Sequence, residues 1–194
     1  MKVGVSGFEP GLMDVADFFE IDAHDSDSLK TALRKKALIS LSANHFYFTH
    51  SDAEVFQDRI ELLSESANAS GAFYCLLKLP PSFFERYTLE QKIAPFLKIW
   101  NRFSSVPVVI DLPRNVQKFS QKGYEFANDP LWAPIKKSKC WKIHGWHDAR
   151  WVRMYSEQDL VALKKKTAKF KPEYLIFGHS QRTIQIRQFL ALDY

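Results

Sequence analysis

Three histidines in this chain, His50, His144 and His179, each stand at or just past the end of a short apolar run. Imidazole titrates near neutrality, so such residues can give or take a proton at physiological pH. Lys78, Arg114, Arg150 and Arg182 occupy the same kind of position, with Asp111 as the one evident carboxylate. A pocket lined this way is positive and suits an anion held by charge-assisted hydrogen bonds. The candidate catalytic groups are His144 and His50, as general acid or base, and Asp111, as base or as the group orienting a histidine. The candidate ligand-binding residues are Lys78, Arg114, Trp146, Arg150, Tyr155, Gly178, His179 and Ser180. The segment from Gly178 to Arg182 reads as a helix opening, whose free amides and dipole favour phosphate or carboxylate.

Each of these residues also has a structural reading. A histidine at a strand end can be a hydrogen-bonded framework residue, and Asp111 can cap a following helix. Pro80-Pro81 makes a stiff strand exit. Trp146 and Trp151 serve equally as core or lid aromatics or as stacking partners for a ring-bearing ligand. Other chemistries find less support. His144 and His147 lie three apart in a strand-to-loop context that does not aim both at one ion, so no metal and no cofactor is expected. Ser180 or Ser6 could complete a Ser-His-Asp set, but the chain has no G-x-S-x-G elbow. It has no phosphate-binding P-loop or zinc-ribbon spacing either.

The elements that must position these groups alternate along the chain. β-rich runs fall at Lys2–Ser6, Phe18–Asp22, Leu38–Ala43, Ala72–Leu79, Val106–Asp111, Cys140–Gly145 and Tyr174–Gly178. Several are apolar almost throughout, the pattern of strands covered on both faces in a parallel sheet. Between them lie helical patterns. A capping box is predicted at Ser51 and Glu54, before the face Phe56, Ile60, Leu63, Ala67. Another is predicted at Thr88 and Gln91, before Leu89, Ile93, Phe96, Trp100 and Phe103, with Pro95 expected to kink or delay that helix. Ser156 and Ser180 precede the last two helices. Glycines do not follow the first strand as in nucleotide-binding open sheets. The expectation is therefore an α/β fold of the TIM (β/α) barrel type, with seven to eight parallel strands, irregular or incomplete around residues 114–139. In such barrels the chemistry sits past the carboxyl ends of the strands.

The chain's 194 residues fit a single domain, 1–194. Its 27 basic and 22 acidic side chains leave a net charge of +5, which favours anionic ligands without being a nucleic-acid signature. Cys75 and Cys140 lie in apolar runs and read as buried free thiols of a cytoplasmic protein. The Met1–Val5 start lacks the apolar stretch expected of a signal peptide, and no apolar run nears the roughly 20 residues of a membrane span. The protein is expected to be soluble.

Certain strand-end motifs resemble a known family. Lys142-Ile143-His144-Gly145 with Tyr155-Ser156-Glu157 is similar to an Arg-Leu-His-Gly strand and Tyr-Ser helix start in the YecE-like proteins, also called domain of unknown function 72. Leu77-Lys78-Leu79-Pro80-Pro81-Ser82-Phe83, Thr49-His50, Val5-Ser6-Gly7-Phe8 and Phe19-Glu20-Ile21-Asp22 resemble further motifs of that family, in the same order. The resemblance implies a barrel of the triosephosphate-isomerase type, and it implies no particular reaction. This chain is short for the family. Lys78, Ile110–Arg114 and Phe177–Ser180 depart from its usual residues.

The leading functional expectation is a hydrolase- or isomerase-like barrel binding a small phosphorylated or anionic molecule at its carboxyl face. One alternative is nucleic-acid binding through Lys136, Lys137, Lys139, Lys142, Lys164, Lys165, Lys166, Lys169 and Lys171 with Trp141 and Phe170. Another is a non-catalytic scaffold or partner-binding barrel.

Overall fold

Seven strands of a computed structural model share one sheet in which every pairing is parallel, in the order β5-β4-β3-β2-β1-β9-β6. The structure describes residues 1–44, 47, 49, 52–80, 82–112, 123–131, 138–144, 146–148, 151–153, 155–179 and 181–192, with only the backbone given for 146–148 and 151–153. The elements run β1 (Lys2–Ser6), β2 (Phe18–Asp22), α1 (Ser26–Arg34), β3 (Ile39–Ala43), α2 (Ala53–Ala69), β4 (Cys75–Lys78), α3 (Phe83–Arg86), α4 (Leu89–Phe103) and β5 (Val108–Asp111). They continue as β6 (Cys140–Ile143), β7 (Trp146–Asp148), β8 (Trp151–Arg153), α5 (Glu157–Phe170), β9 (Tyr174–Phe177) and α6 (Arg182–Ala191).

Side chains on a strand alternate between faces, and here the two faces have different jobs. Val3, Val5, Phe19, Ile21, Ile39, Leu41, Cys75, Leu77, Trp141, Ile143, Leu175 and Phe177 join the main core, together with Ile60, Leu63, Ile93, Phe96, Trp100, Leu160 and Leu163 of the helices. The alternate positions face the barrel interior. Phe18, Tyr74, Leu76, Val109, Ala127, Cys140 and Ile176 form a separate apolar cluster there. Gly4 belongs to this layer because a Cβ would stand 2.5 Å from the Phe18 ring. The two cysteines, both free and buried, therefore lie on opposite faces of the sheet.

Strands β5 and β6 end the ordered sheet, and residues 125–128 run between them. Ile110 N donates to Glu125 O at 2.9 Å and Ala127 N to Ile110 O at 2.8 Å. On the other side Asn128 N donates to Cys140 O and Lys142 N to Asn128 O, each at 3.0 Å. This stretch was expected to be irregular. It lacks an apolar alternation, yet it supplies the hydrogen bonds that bring the ring close to closure.

Most helix signals hold. Thr88 with Gln91 and Ser156 with Asp159 make capping boxes. The α2 cap is Asp52 rather than Ser51, because its carboxylate accepts from Glu54 N and Val55 N; Ser51 lies outside the described residues. Pro95 does not delay α4, which begins at Leu89 and continues past it. Among the described residues no helix is long and apolar enough to cross a membrane.

Candidate active site

Above the apolar layer the inward positions turn polar. Strand register sets Ser6 beside Glu20 and Lys78 beside Asp111. Ser6 Oγ donates to Glu20 Oε1 at 3.1 Å. Lys142 Nζ lies 3.0 Å from Glu20 Oε1 and 3.0 Å from Asp111 Oδ2. Lys78 Nζ reaches the same Glu20 oxygen at 3.2 Å. Asp111 Oδ1 meets His144 Nε2 at 3.1 Å. The result is one continuous chain of charges across the barrel mouth.

Burial grades this chain. The side chains of Glu20 and Lys142 are 0% and 4% exposed, whereas those of His144 and Lys78 are 26% and 37% exposed. A ligand entering from solvent thus meets His144 and Lys78 first. Burial opposes the charge on Glu20, but Lys142 and Lys78 outweigh it and hold the carboxyl below its usual range. Burial likewise opposes charge on Asp111, and Lys142 and His144 reverse it, leaving that carboxyl well below the usual range. Lys142, desolvated between two carboxylates, is pushed up rather than down. A lysine held this firmly as an ammonium is a poor nucleophile, and an Asp111 held ionised is a poor acid. The ionised carboxylate can only accept, so His144 presents a proton to it on Nε2 and turns Nδ1 away from it.

A second layer fixes the dyad. Asp129, 1% exposed, accepts from His144 N at 3.2 Å, from Tyr155 Oη at 3.3 Å and from Leu131 N at 3.1 Å. Tyr155 is bound by its backbone as well: its N–H donates to Gln185 Oε1, and Gln185 Nε2 donates back to its carbonyl, both at 2.9 Å. Gly178 closes the interior wall. A Cβ there would lie 3.0 Å from Lys142 Cε and 3.5 Å from Ser6 Oγ, so the glycine makes room for the buried lysine.

Beyond Gly178 the chain turns into α6. His179 is 4% exposed, and its Nδ1 accepts from Gln181 N at 3.3 Å. Burial, helped by the charges of Arg182 and His144, lowers its imidazole to about 4, so the ring is neutral at pH 7. Arg182 Nη2 pairs with Glu9 Oε1, and Thr183 Oγ1 donates to Glu9 Oε2, both at 2.6 Å.

The structure brings together His144, Asp111, Lys78 and Gly178 and places Tyr155 and His179 behind them. Trp146 lies in an antiparallel hairpin, β7–β8, where a strand-to-helix loop was expected. His50, Arg114, Arg150 and Ser180 lie outside the described residues. Two expectations are corrected. The pocket has more than one carboxylate, since Glu20 and Asp129 join Asp111, and among the described residues Glu20 and Asp111 balance Lys78 and Lys142. Lys142 and Trp141 also leave the surface set, being 4% and 1% exposed. The signal in the sequence is a charge flanked by apolar residues within a strand, Glu20 between Phe19 and Ile21 and Lys142 between Trp141 and Ile143; such a charge, when buried, must be paired inside. Among the described residues no three His, Cys, Asp or Glu side chains are placed to hold a metal ion.

The fold and this mouth define a barrel of the TIM type. A crystal structure of a xylose isomerase domain-containing protein from Salmonella typhimurium LT2 is similar to it, with a TM-score of 0.51 and 14% identity over 97% of this chain and 94% of that one. At that identity the likeness is one of fold. No family model and no curated protein matches the chain.

Proposed function

We propose that this barrel is an enzyme performing proton transfer, of isomerase or hydrolase type, on a small phosphorylated or otherwise anionic molecule bound at the carboxyl ends of its strands. The observation that carries this reading is the His144–Asp111 pair at 3.1 Å with the imidazole partly exposed. Asp111 fixes the ring and its tautomer, as the third group does in triad-like sites. His144 Nδ1 then takes or returns a proton, a role worth roughly 10²–10⁴ in rate. Lys78, the exposed cation of the network, holds the ligand's negative charge. Lys142 acts beneath them as a positioning residue that keeps Asp111 ionised, and Glu20 holds the Lys142 ammonium in place. We infer further that the chain is a short, divergent relative of the YecE-like proteins, supported by the motifs around Ser6, Glu20, Lys78 and His144. Isomerisation also accords with the xylose isomerase domain of the structural neighbour.

The test has two arms. A thermal-shift panel of sugar phosphates, carboxylates, nucleotides and inorganic phosphate should raise Tm by a few degrees with a ligand at 100 times its Kd, which stabilises by about 2.7 kcal/mol. Imidazole ¹⁵N shifts should show His144 protonated on Nε2 in the native protein and a mixed tautomer in Asp111→Asn. Silence across the panel, together with an Nδ1-protonated His144, would overturn the reading.

A further inference from the structure

The start of α6 holds two buried N–H groups that have no partner among the described residues. His179 takes the Gln181 N–H on Nδ1, so its own proton sits on Nε2, and that atom is buried without a partner. Arg182 Nε is likewise buried and unpartnered. Its neighbour Nη2 is occupied by a single oxygen of Glu9, whose second oxygen is turned to Thr183. The guanidinium fork suited to bidentate capture of an oxyanion is thus half used. A buried donor left unmet is unfavourable, and both of these are donors, so a partner there must be an acceptor. The α6 N-terminus itself has no side-chain cap on Gln181, and its dipole adds to the same preference.

Position ties this turn to the dyad. Gly178 N donates to Ile143 O at 2.9 Å, so the residues that follow them, His179 and His144, leave the sheet side by side. Gly7, with φ +82, carries no side chain where a Cβ would stand 3.2 Å from Arg182 Nη2. The Glu9–Arg182 pair is partly solvated, at 35% and 24% exposed, and such pairs contribute little to stability.

We propose that the β9–α6 turn is an oxyanion subsite for the phosphate or carboxylate of the ligand, formed by Arg182 and His179, and that Glu9 is an internal placeholder which the ligand displaces. This rests on the reading of the mouth as an anion-binding active site and names the subsite that takes the anion.

The experiment is calorimetric titration of the full chain with inorganic phosphate. Glu9→Gln removes the placeholder and should tighten phosphate binding about tenfold, since each 1.4 kcal/mol is a factor of ten. Asp14→Asn makes the same charge change on the same loop and should leave affinity unchanged. Arg182→Lys keeps the charge, removes the fork and should weaken binding about tenfold, with a melting curve confirming that it is folded. Equal affinities for Glu9→Gln and Asp14→Asn, an unchanged Arg182→Lys, or no phosphate binding by any variant would overturn the subsite. Phosphate binding lost in Lys78→Met but insensitive to Arg182→Lys would place the anion at Lys78, leaving the active-site reading intact while removing this one.

Discussion

The ammonium of Lys142 stands 3.0 Å from the carboxylate of Glu20, 122 residues earlier in the chain. Neither group is accessible to water to any useful degree, and neither is tolerable inside a barrel alone. Their pairing also sets the state of Asp111, which shares the same ammonium, and through Asp111 the orientation of His144. A buried charge placed for structural reasons thus reaches the partly exposed imidazole to which proton transfer is assigned in the proposal.

Replacing Lys142 by Met should therefore be costly. It leaves Glu20 and Asp111 buried without their common counter-ion, and breaking a buried pair in this way costs about 3–5 kcal/mol. Urea unfolding should show the midpoint falling by that equivalent with little change in m. A loss below about 1 kcal/mol would mean that water reaches the network.

The two interior glycines should respond in order of space. At Gly4 a Cβ meets the Phe18 ring at 2.5 Å, and at Gly178 it meets the flexible Cε of Lys142 at 3.0 Å. Gly178→Ala should cost about 1–3 kcal/mol by overpacking, and Gly4→Ala more, because a ring wedged among Phe73, Tyr74 and Tyr174 has nowhere to go. Thermal unfolding of the pair would reverse this order only if Phe18 had a second rotamer available.

Stability should depend on pH in two steps on the acid side. His179 has its value lowered from 6.5 to about 4, so between those values the unfolded chain takes up a proton that the folded one refuses. Its contribution is complete above pH 6.5 and is lost as pH falls toward 4. Glu20 and Asp111, both lowered, contribute fully above their ordinary values of 4.5 and 3.8, and that share is lost as pH falls through their lower folded values. Lys142, raised from 10.5, contributes below that value and its share is lost as pH rises through its higher folded one. Denaturation midpoints between pH 3 and 8 should show the first step vanish in His179→Gln while the second persists.

The tyrosine and its acceptor should separate cleanly. Tyr155→Phe removes one hydrogen bond to Asp129 and should cost about 1 kcal/mol, whereas Asp129→Ala strands three donors and should cost several. Asp129→Ala should also disturb the His144 tautomer signal, since it frees the His144 backbone; Tyr155→Phe should not.

Much of the frame was readable in one dimension. Near-continuous apolar runs such as Val108-Val109-Ile110, the capping box at Thr88 and Gln91, Ser156 ahead of its helix, and the helical spacing of Ile93, Phe96 and Trp100 are local patterns with local causes, and they point to strand number, helix order and the barrel class. His144, Asp111, Lys78 and Gly178 followed from their positions at strand ends. What stayed hidden was pairing. Glu20 and Lys142 look like a stray acid and one lysine among many until strand order sets them across the same interior. Residues 125–128 show no clean strand pattern in the sequence, yet their backbone groups hydrogen-bond to β5 and β6. Charge neutralisation at the mouth, the buried N–H groups of His179 and Arg182, and the proton on His144 Nε2 depend on distances between strands far apart in the chain, and those distances exist only once the ring of strands has formed.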